Sequence, residues 1–203
     1  MICVIDYGLG NIGSLVNMCR YIGIETIVGN DEASIKKATH LILPGVGTFD
    51  KAISNLKSQG LFELVDDAVI QGNKPILGLC LGAQIMLAKS EEGLLEGFGW
   101  VPGEVIRFQL PKPLKIPHMG WNMTRQAQGE SLYEDMPDSD PRFYFVHSYH
   151  FANIPKENIA CTTDYGGEFV SGFRKGNIVG MQFHPEKSHQ FGIQLLRNFY
   201  KLK

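Results

Sequence analysis

Cysteine is scarce in this 203-residue chain and never paired in sequence: Cys3, Cys19, Cys80 and Cys161 stand far apart, with no C-x-x-C among them. That spacing argues against a zinc ribbon or finger and against a dense disulfide framework. Free thiols suit a reducing compartment, so a cytoplasmic location is expected. A surplus of one charge is also missing. The 19 Lys and Arg nearly balance the 21 Asp and Glu, leaving a net −2, which argues against a general nucleic-acid binder. No apolar run approaches the roughly 20 residues of a membrane span; the longest, residues 75–88, contains Gln84. The opening residues 1–6 carry no basic leader and are expected to form a strand rather than a targeting segment. Internal repeats and linkers are lacking as well, so a single domain over residues 1–203 is expected.

What is present is an alternation. With 44% hydrophobic residues, a chain of this length can bury a core without staples. Strand-like runs at 2–6, 25–28, 40–43 and 75–79 alternate with helix-like stretches at 14–21, 49–56, 61–70 and 81–89. This rhythm predicts an open, largely parallel α/β sheet with helices on both faces. The second half is richer in strand candidates, at 104–108, 143–146, 159–163, 169–174 and 178–182, separated by turns such as Gly166-Gly167. Antiparallel strands added to the sheet are expected there. Residues 126–141 are polar and include Pro137 and Pro141, the pattern of a surface loop, and 191–202 has helical apolar spacing.

Three motifs carry chemistry. Gly78-Leu79-Cys80-Leu81-Gly82 lies between a strand and a helix, as a nucleophile elbow does. Its glycines give room for a sharp turn, the helix N-terminus favours a thiolate at Cys80, and the Leu81 N–H is placed for an oxyanion. A buried structural cysteine between packing glycines is the alternative. His184-Pro185-Glu186 follows the run at 178–182. A thiol nucleophile needs a base and the base an orienting carboxylate. In an extended segment residues i and i+2 face the same way, and the proline disfavours helix at His184. A solvated loop is the alternative. Pro44-Gly45-Val46-Gly47 follows the run at 40–43, at a strand end where ligands collect; an ordinary turn would read the same.

Together the three occur in order, each after a strand. Asp6-Tyr-Gly-Leu-Gly-Asn, Pro117-His-Met-Gly-Trp-Asn, Phe145-Val-His-Ser-Tyr and Gln182-Phe-His-Pro-Glu-Lys-Ser accompany them. Over nearly its whole length the sequence resembles the class I (triad) glutamine amidotransferases, and within them the glutaminase subunits of imidazole glycerol phosphate synthase. The resemblance implies a flavodoxin-like fold and hydrolysis of glutamine to glutamate and ammonia, with no cofactor and no metal. It implies Cys80 as nucleophile, His184 as acid/base and Glu186 as its orienter. It places the oxyanion region at Val46, Gly47 and Leu81, the glutamine site at Gly47, Gln84, Ser148 and Tyr149, and a partner interface at Asn11, Trp121, Tyr144 and Lys187. The implied partner is a HisF-type (β/α)8-barrel cyclase, bound as a heterodimer and fed with ammonia for histidine biosynthesis. Ala83 departs from the family pattern, where many relatives have methionine, and His150 stands where the residue type varies.

The same residues admit other readings. A paralogue supplying ammonia for sugar amidination in surface-polysaccharide pathways would keep the triad and change the acceptor. A non-catalytic module on the same fold would not need Cys80, His184 and Glu186 together, and a hydrolase of another amide would not need the glutamine-site residues. Gly8-x-Gly10-x-x-Gly13, with Asp31 or Glu32 beyond, fits a dinucleotide loop weakly. His147, His150 and His184-x-Glu186 form no compact metal-ligand set in sequence.

Overall fold

The computed structural model describes residues 1–203. The first half runs β1 (Ile2–Ile5), α1 (Ile12–Tyr21), β2 (Thr26–Gly29), α2 (Glu32–Lys37), β3 (His40–Leu43), α3 (Phe49–Ser58), α4 (Leu61–Ile70), β4 (Ile76–Leu79) and the single turn α5 (Leu81–Gln84). The second half holds β5 (Glu104–Arg107), β6 (His118–Met123), β7 (Arg125–Gln126), β8 (Arg142–His147), β9 (Tyr149–Ala152), β10 (Ile159–Asp164), β11 (Glu168–Lys175), β12 (Ile178–Met181) and α6 (His189–Tyr200).

Strands β2-β1-β3-β4-β12 lie side by side and parallel. β11 and β10 continue the sheet antiparallel, with β7 at the edge, β9 pairing with β11, and β5 with β9. β6 and β8 form a separate antiparallel hairpin-like pair. β1, β3, β4 and β12 are buried at every position, so they read as unbroken apolar runs rather than as alternation. Their side chains still alternate between two cores. Cys3, Ile5, Leu41, Leu43 and Ile76 meet Ile35 of α2, Leu56 of α3 and Val65 of α4. Ile2, Val4, Ile42, Leu77, Val179 and Met181 meet Leu15 of α1 and Leu195 and Phe199 of α6. The expected sheet with helices on both faces is therefore present.

Several expected details differ. The run at 178–182 is not one of the added antiparallel strands: β12 pairs parallel with β4, Gly180 opposite Gly78 and Met181 opposite Leu79. The helix expected over 81–89 is one turn long. Beyond it, the carbonyls of Ile85, Met86, Leu87 and Ala88 accept from the backbone N–H groups of Phe98, Trp100, Gly99 and Gly97 instead of from their own helix. A returning segment thus takes over the bonds a longer helix would have used. The polar stretch 126–141 contains a 3₁₀ turn, Ser131–Tyr133, that buries Leu132 and Tyr133. Helix α2 was not expected. It has one buried residue, Ile35, and depends on local polar bonds: Asp31 caps Ser34 N at 2.7 Å, and Lys74 Nζ reaches the Ile35, Lys36 and Ala38 carbonyls at its end. Asp31 is thereby occupied as a helix cap, which removes it from the dinucleotide reading.

The close approach of β12 to its neighbours rests on Gly180, where a Cβ would lie 2.2 Å from the ring of buried Phe173 directly across on β11. Gly180→Ala is expected to lower stability by about 1–3 kcal/mol through overpacking. Urea denaturation followed by circular dichroism checks this; an unchanged midpoint would show that the Phe173 ring moves freely.

Candidate active site

Three loops converge because β3, β4 and β12 are adjacent and parallel, so the segments after Leu43, Leu79 and Met181 leave from the same edge. Cys80 follows β4 directly. Its backbone sits at φ 52°, ψ −112°, a strained conformation for a residue with a side chain. The strain is held by the Cys80 N–H bond to the Met181 carbonyl at 2.8 Å and by two glycines. A Cβ on Gly78 would lie 2.7 Å from Ala83 Cα, and one on Gly82 would lie 1.9 Å from the Leu43 carbonyl oxygen. Both elbow glycines are therefore required for close approach, as their spacing implied. Leu81 and Gly82 open the helix turn, where backbone N–H groups have no intrahelical acceptor.

His184 lies past β12. It is extended (φ −106°, ψ 94°), and Pro185 starts a 3₁₀ turn, Pro185–Lys187, that contains Glu186. The motif is thus half extended and half turn rather than extended throughout. Proline permits both, since it keeps the preceding residue extended and is suited to the first position of a helical turn. His184 Nδ1 is 2.9 Å from Glu186 Oε1, and both side chains are almost wholly buried. His184 Nε2 and Glu186 Oε2 are buried without a hydrogen-bond partner. Burial alone would lower the proton affinity of His184; Cys80 and Glu186 outweigh it and raise the pKa above the usual imidazole value. His184 Nε2 closes no hydrogen bond with Cys80 Sγ; catalytic hydrogen bonds are commonly long in the absence of substrate.

A cleft of about 420 Å³ opens over Cys80. Val46, Gly47, Leu81, Gln84, Ser148, Tyr149 and His184 line it, together with Glu92, Val146 and His147. Every residue expected in the triad, the oxyanion region and the glutamine site, apart from Glu186, therefore borders one cavity, and Glu186 stands behind His184.

Residues 3–202 match the family described as glutamine amidotransferase class-I. The chain is 48% identical over 201 residues to imidazole glycerol phosphate synthase subunit HisH 2 of Methanococcus maripaludis, covering 99% of each. It is 40% identical over 202 residues to the protein of the same name in Pseudomonas aeruginosa, covering 100% of each. The chain belongs to the class-I glutamine amidotransferase family. Among solved structures, PurLQS from Thermotoga maritima superimposes with a TM-score of 0.74 at 19% identity, over 98% of this chain and 96% of that one, which supports the fold.

In this amidotransferase the Pro44–Gly47 turn is fastened from below. Buried Tyr7 donates its hydroxyl to the Pro44 carbonyl at 2.6 Å. Gly47, at φ 110°, ends the turn in a conformation that favours glycine. Of the four expected interface residues, three come together. Lys187 Nζ lies 5.5 Å from the centroid of the Tyr144 ring, and Trp121 meets Tyr144 edge-on at 6.4 Å while stacking on His189. Asn11, at the N-cap of α1, makes no hydrogen bond to them and no side-chain cap.

Two residues of the site were not anticipated. Gln182 is fully buried; its Nε2 lies 3.7 Å from Cys80 Sγ and its Oε1 accepts from Gln84 Nε2 at 3.1 Å. Glu92 brings a carboxylate to the cleft, where its Oε2 accepts from Phe49 N at the start of α3 at 2.9 Å. Burial pushes its pKa up, and Asp50 adds to this against the Phe49 bond. Gln182 had a signal, its place two residues before His184. Glu92 had none, for Ser90-Glu-Glu-Gly reads as a solvated turn.

The buried pair His118 and His147 titrates abnormally: burial lowers their pKa values to about 4 and about 3. An unfolded chain takes up these protons near 6.5, so folding stability is complete above that pH and falls as pH drops toward 3. His184, shifted the other way, stabilises the fold below 6.5 and loses that contribution at alkaline pH. Urea denaturation at pH 7 and pH 5 is expected to show a loss that is smaller in His147→Phe. An equal loss in both proteins would place the acid sensitivity elsewhere.

Proposed function

We propose that this chain, as one glutaminase domain over residues 1–203, is the glutamine-hydrolysing subunit of an imidazole glycerol phosphate synthase. The observation that carries the reading is the convergence of Cys80, at a strained elbow, with the Glu186-paired His184 on a cleft that also presents Gln84, Ser148, Tyr149 and Gly47. Its reach to the synthase rests on full-length identity to subunits of that name.

Glutamine binds with its amide carbon over Cys80. The cysteine thiolate attacks that carbon while His184 holds the thiol proton, and the carbonyl oxygen gains negative charge. The Leu81 N–H, and an N–H of the Val46–Gly47 turn once re-aimed, stabilise that charge. The intermediate collapses, the C–N bond breaks, and His184 passes its proton to the departing ammonia, leaving a glutamyl thioester on Cys80. Water then gives a proton to His184 and attacks the thioester, releasing glutamate and the thiolate. Glu186 keeps the imidazole oriented and offsets its charge. Glu92 supplies the carboxylate for the α-ammonium group of glutamine. The ammonia passes to a HisF-type (β/α)8-barrel cyclase docked on Trp121, Tyr144, Lys187 and Asn11, so that it is neither protonated nor diluted in the cytoplasm.

Glutamate release is expected to be low from this chain alone and to rise steeply with a histidine-pathway cyclase carrying its ribonucleotide. Cys80→Ala is expected to lose at least about 10³-fold of the rate. Retained turnover in that variant would overturn the triad. A rise only with a sugar-amidination partner would replace the acceptor and leave the hydrolysis intact.

Glu92→Gln is informative because the amide oxygen keeps the Phe49 N–H bond while the charge is lost. Loss of a charge-assisted hydrogen bond, about 1.5–3 kcal/mol, predicts a KM for glutamine raised at least tenfold with kcat little changed. Steady-state kinetics of glutamate release decides this, and an unchanged KM would remove Glu92 from the glutamine site.

A further inference from the structure

Outside the triad, a directed chain of hydrogen bonds runs through two buried histidines. His147 Nδ1 lies 2.7 Å from the Tyr149 carbonyl oxygen. A carbonyl only accepts, so Nδ1 carries the proton and Nε2 is an acceptor. His118 Nδ1 lies 3.0 Å from that Nε2 and donates to it. His118 Nε2 is then an acceptor, and Asn122 Nδ2 donates to it at 3.2 Å, with its second hydrogen going to the Asp164 carbonyl at 2.8 Å. Both imidazoles are neutral, each ring nitrogen is used once, and a proton added to His147 would set two N–H groups against each other.

The far end of this chain reaches the cleft. The Tyr149 carbonyl also accepts from Gln84 Nε2 at 3.2 Å, and Gln84 Nε2 gives its other hydrogen to Gln182 Oε1. With both amide hydrogens committed, Oε1 is the Gln84 atom left for a ligand in the cleft that Gln84 borders. His147, Ser148 and Tyr149 form the corner between β8 and β9, and all three line the cavity. The His147 side chain therefore clamps the corner whose next two residues face the substrate.

We propose that His147, held in its tautomer by His118, is a positioning residue for glutamine: it fixes the Ser148–Tyr149 corner and, through the Tyr149 carbonyl, the orientation of the Gln84 amide. This rests on the glutaminase reading above and deepens it. Neither histidine touches the reacting atoms, so their effect falls on binding. The bonds also tie the cleft to β6, because His118 and Asn122 point inward from the strand whose outward residues are Met119, Trp121 and Met123.

The test uses the complete complex with the loaded cyclase and measures glutamate release as a function of glutamine. His147→Phe keeps the ring's bulk and removes the donor. It is expected to raise KM about tenfold, the loss of roughly 1.4 kcal/mol, with kcat within about threefold of wild type. His147→Asn keeps a donor at the δ position and is expected to bring KM back to within about threefold. His118→Phe, which removes the donor to His147 Nε2 and the acceptor of Asn122 but leaves the His147–Tyr149 bond, is expected to fall between them. Glutamine titrated calorimetrically into Cys80→Ser, with and without His147→Phe, should show the same weakening without turnover. A folded His147→Phe or His118→Phe enzyme with wild-type KM would overturn the proposal, and so would His147→Asn as impaired as His147→Phe, which would mean that the ring acts only by packing. Wild-type turnover with unmoved variant KM values sinks this inference alone. Absence of turnover in the wild-type complex sinks the glutaminase reading and this inference with it.

Discussion

The backbone at Cys80 is the constraint on which the site depends. A cysteine held at φ 52° costs about 1–3 kcal/mol relative to relaxed backbone, and the cost is met by contacts that only this arrangement permits. The Cys80 N–H closes on Met181 of the adjacent parallel strand. Gly82 lies so close to the Leu43 carbonyl that no side chain fits, and Gly45 in turn abuts the Gly82 nitrogen. The elbow therefore locks β3, β4 and β12 together at their C-terminal ends. The same packing brings the Pro44–Gly47 turn and the His184 segment beside the sulfur, so the strain and the convergence of the three loops have one cause.

Much of this was legible because its signals are local. β3 and α4 begin and end where expected, since their apolar runs are bounded by Pro44, Gly60 and Gly72, residues that interrupt strand or helix. The elbow and the His184–Glu186 pair were legible because glycine and proline restrict the backbone directly. What was missed depends on tertiary placement. β6 inverts the usual alternation: Met119, Trp121 and Met123 face outward, while His118 and Asn122 face in. A rule that puts apolar residues inside cannot find such a strand. β12 looked like its antiparallel neighbours because strand direction is not written in composition. Glu92 reaches the cleft because Asp50 grips the Leu94 and Leu95 N–H groups and Phe49 N donates to the Glu92 carboxylate, bonds across more than forty residues that no short window contains.

Electrostatics divides the buried polar groups into two kinds. His118 and His147 are neutral because each of their nitrogens has one partner of fixed role and burial penalises charge. His184 is equally buried but keeps an unpartnered Nε2 toward Cys80, and its carboxylate partner keeps an unpartnered Oε2. Buried orphans are costly and scarce in folded proteins. Two of the three such atoms here belong to the proposed catalytic pair, which is the pattern expected where groups are reserved for a reaction rather than for stability.

Backbone bonds place His184, the proposed base, within reach of the outer face. The His184 N–H donates to the Tyr144 carbonyl at 2.9 Å, while the Tyr144 N–H donates to Ser188 Oγ, whose hydroxyl in turn closes on the His184 carbonyl. The residue that grips His184 through its backbone thus presents its ring to Lys187 and Trp121 on the surface. Packed elements respond to load by shifting together rather than by deforming locally. A partner seated on Trp121 and Lys187, as proposed, would bear on the β6–β8 pair, and that pair holds His184 on one side and the Ser148–Tyr149 corner, through His118 and His147, on the other. On the proposed reading, docking, substrate placement and orientation of the base share one structural element, which would give ammonia production a physical reason to wait for the acceptor.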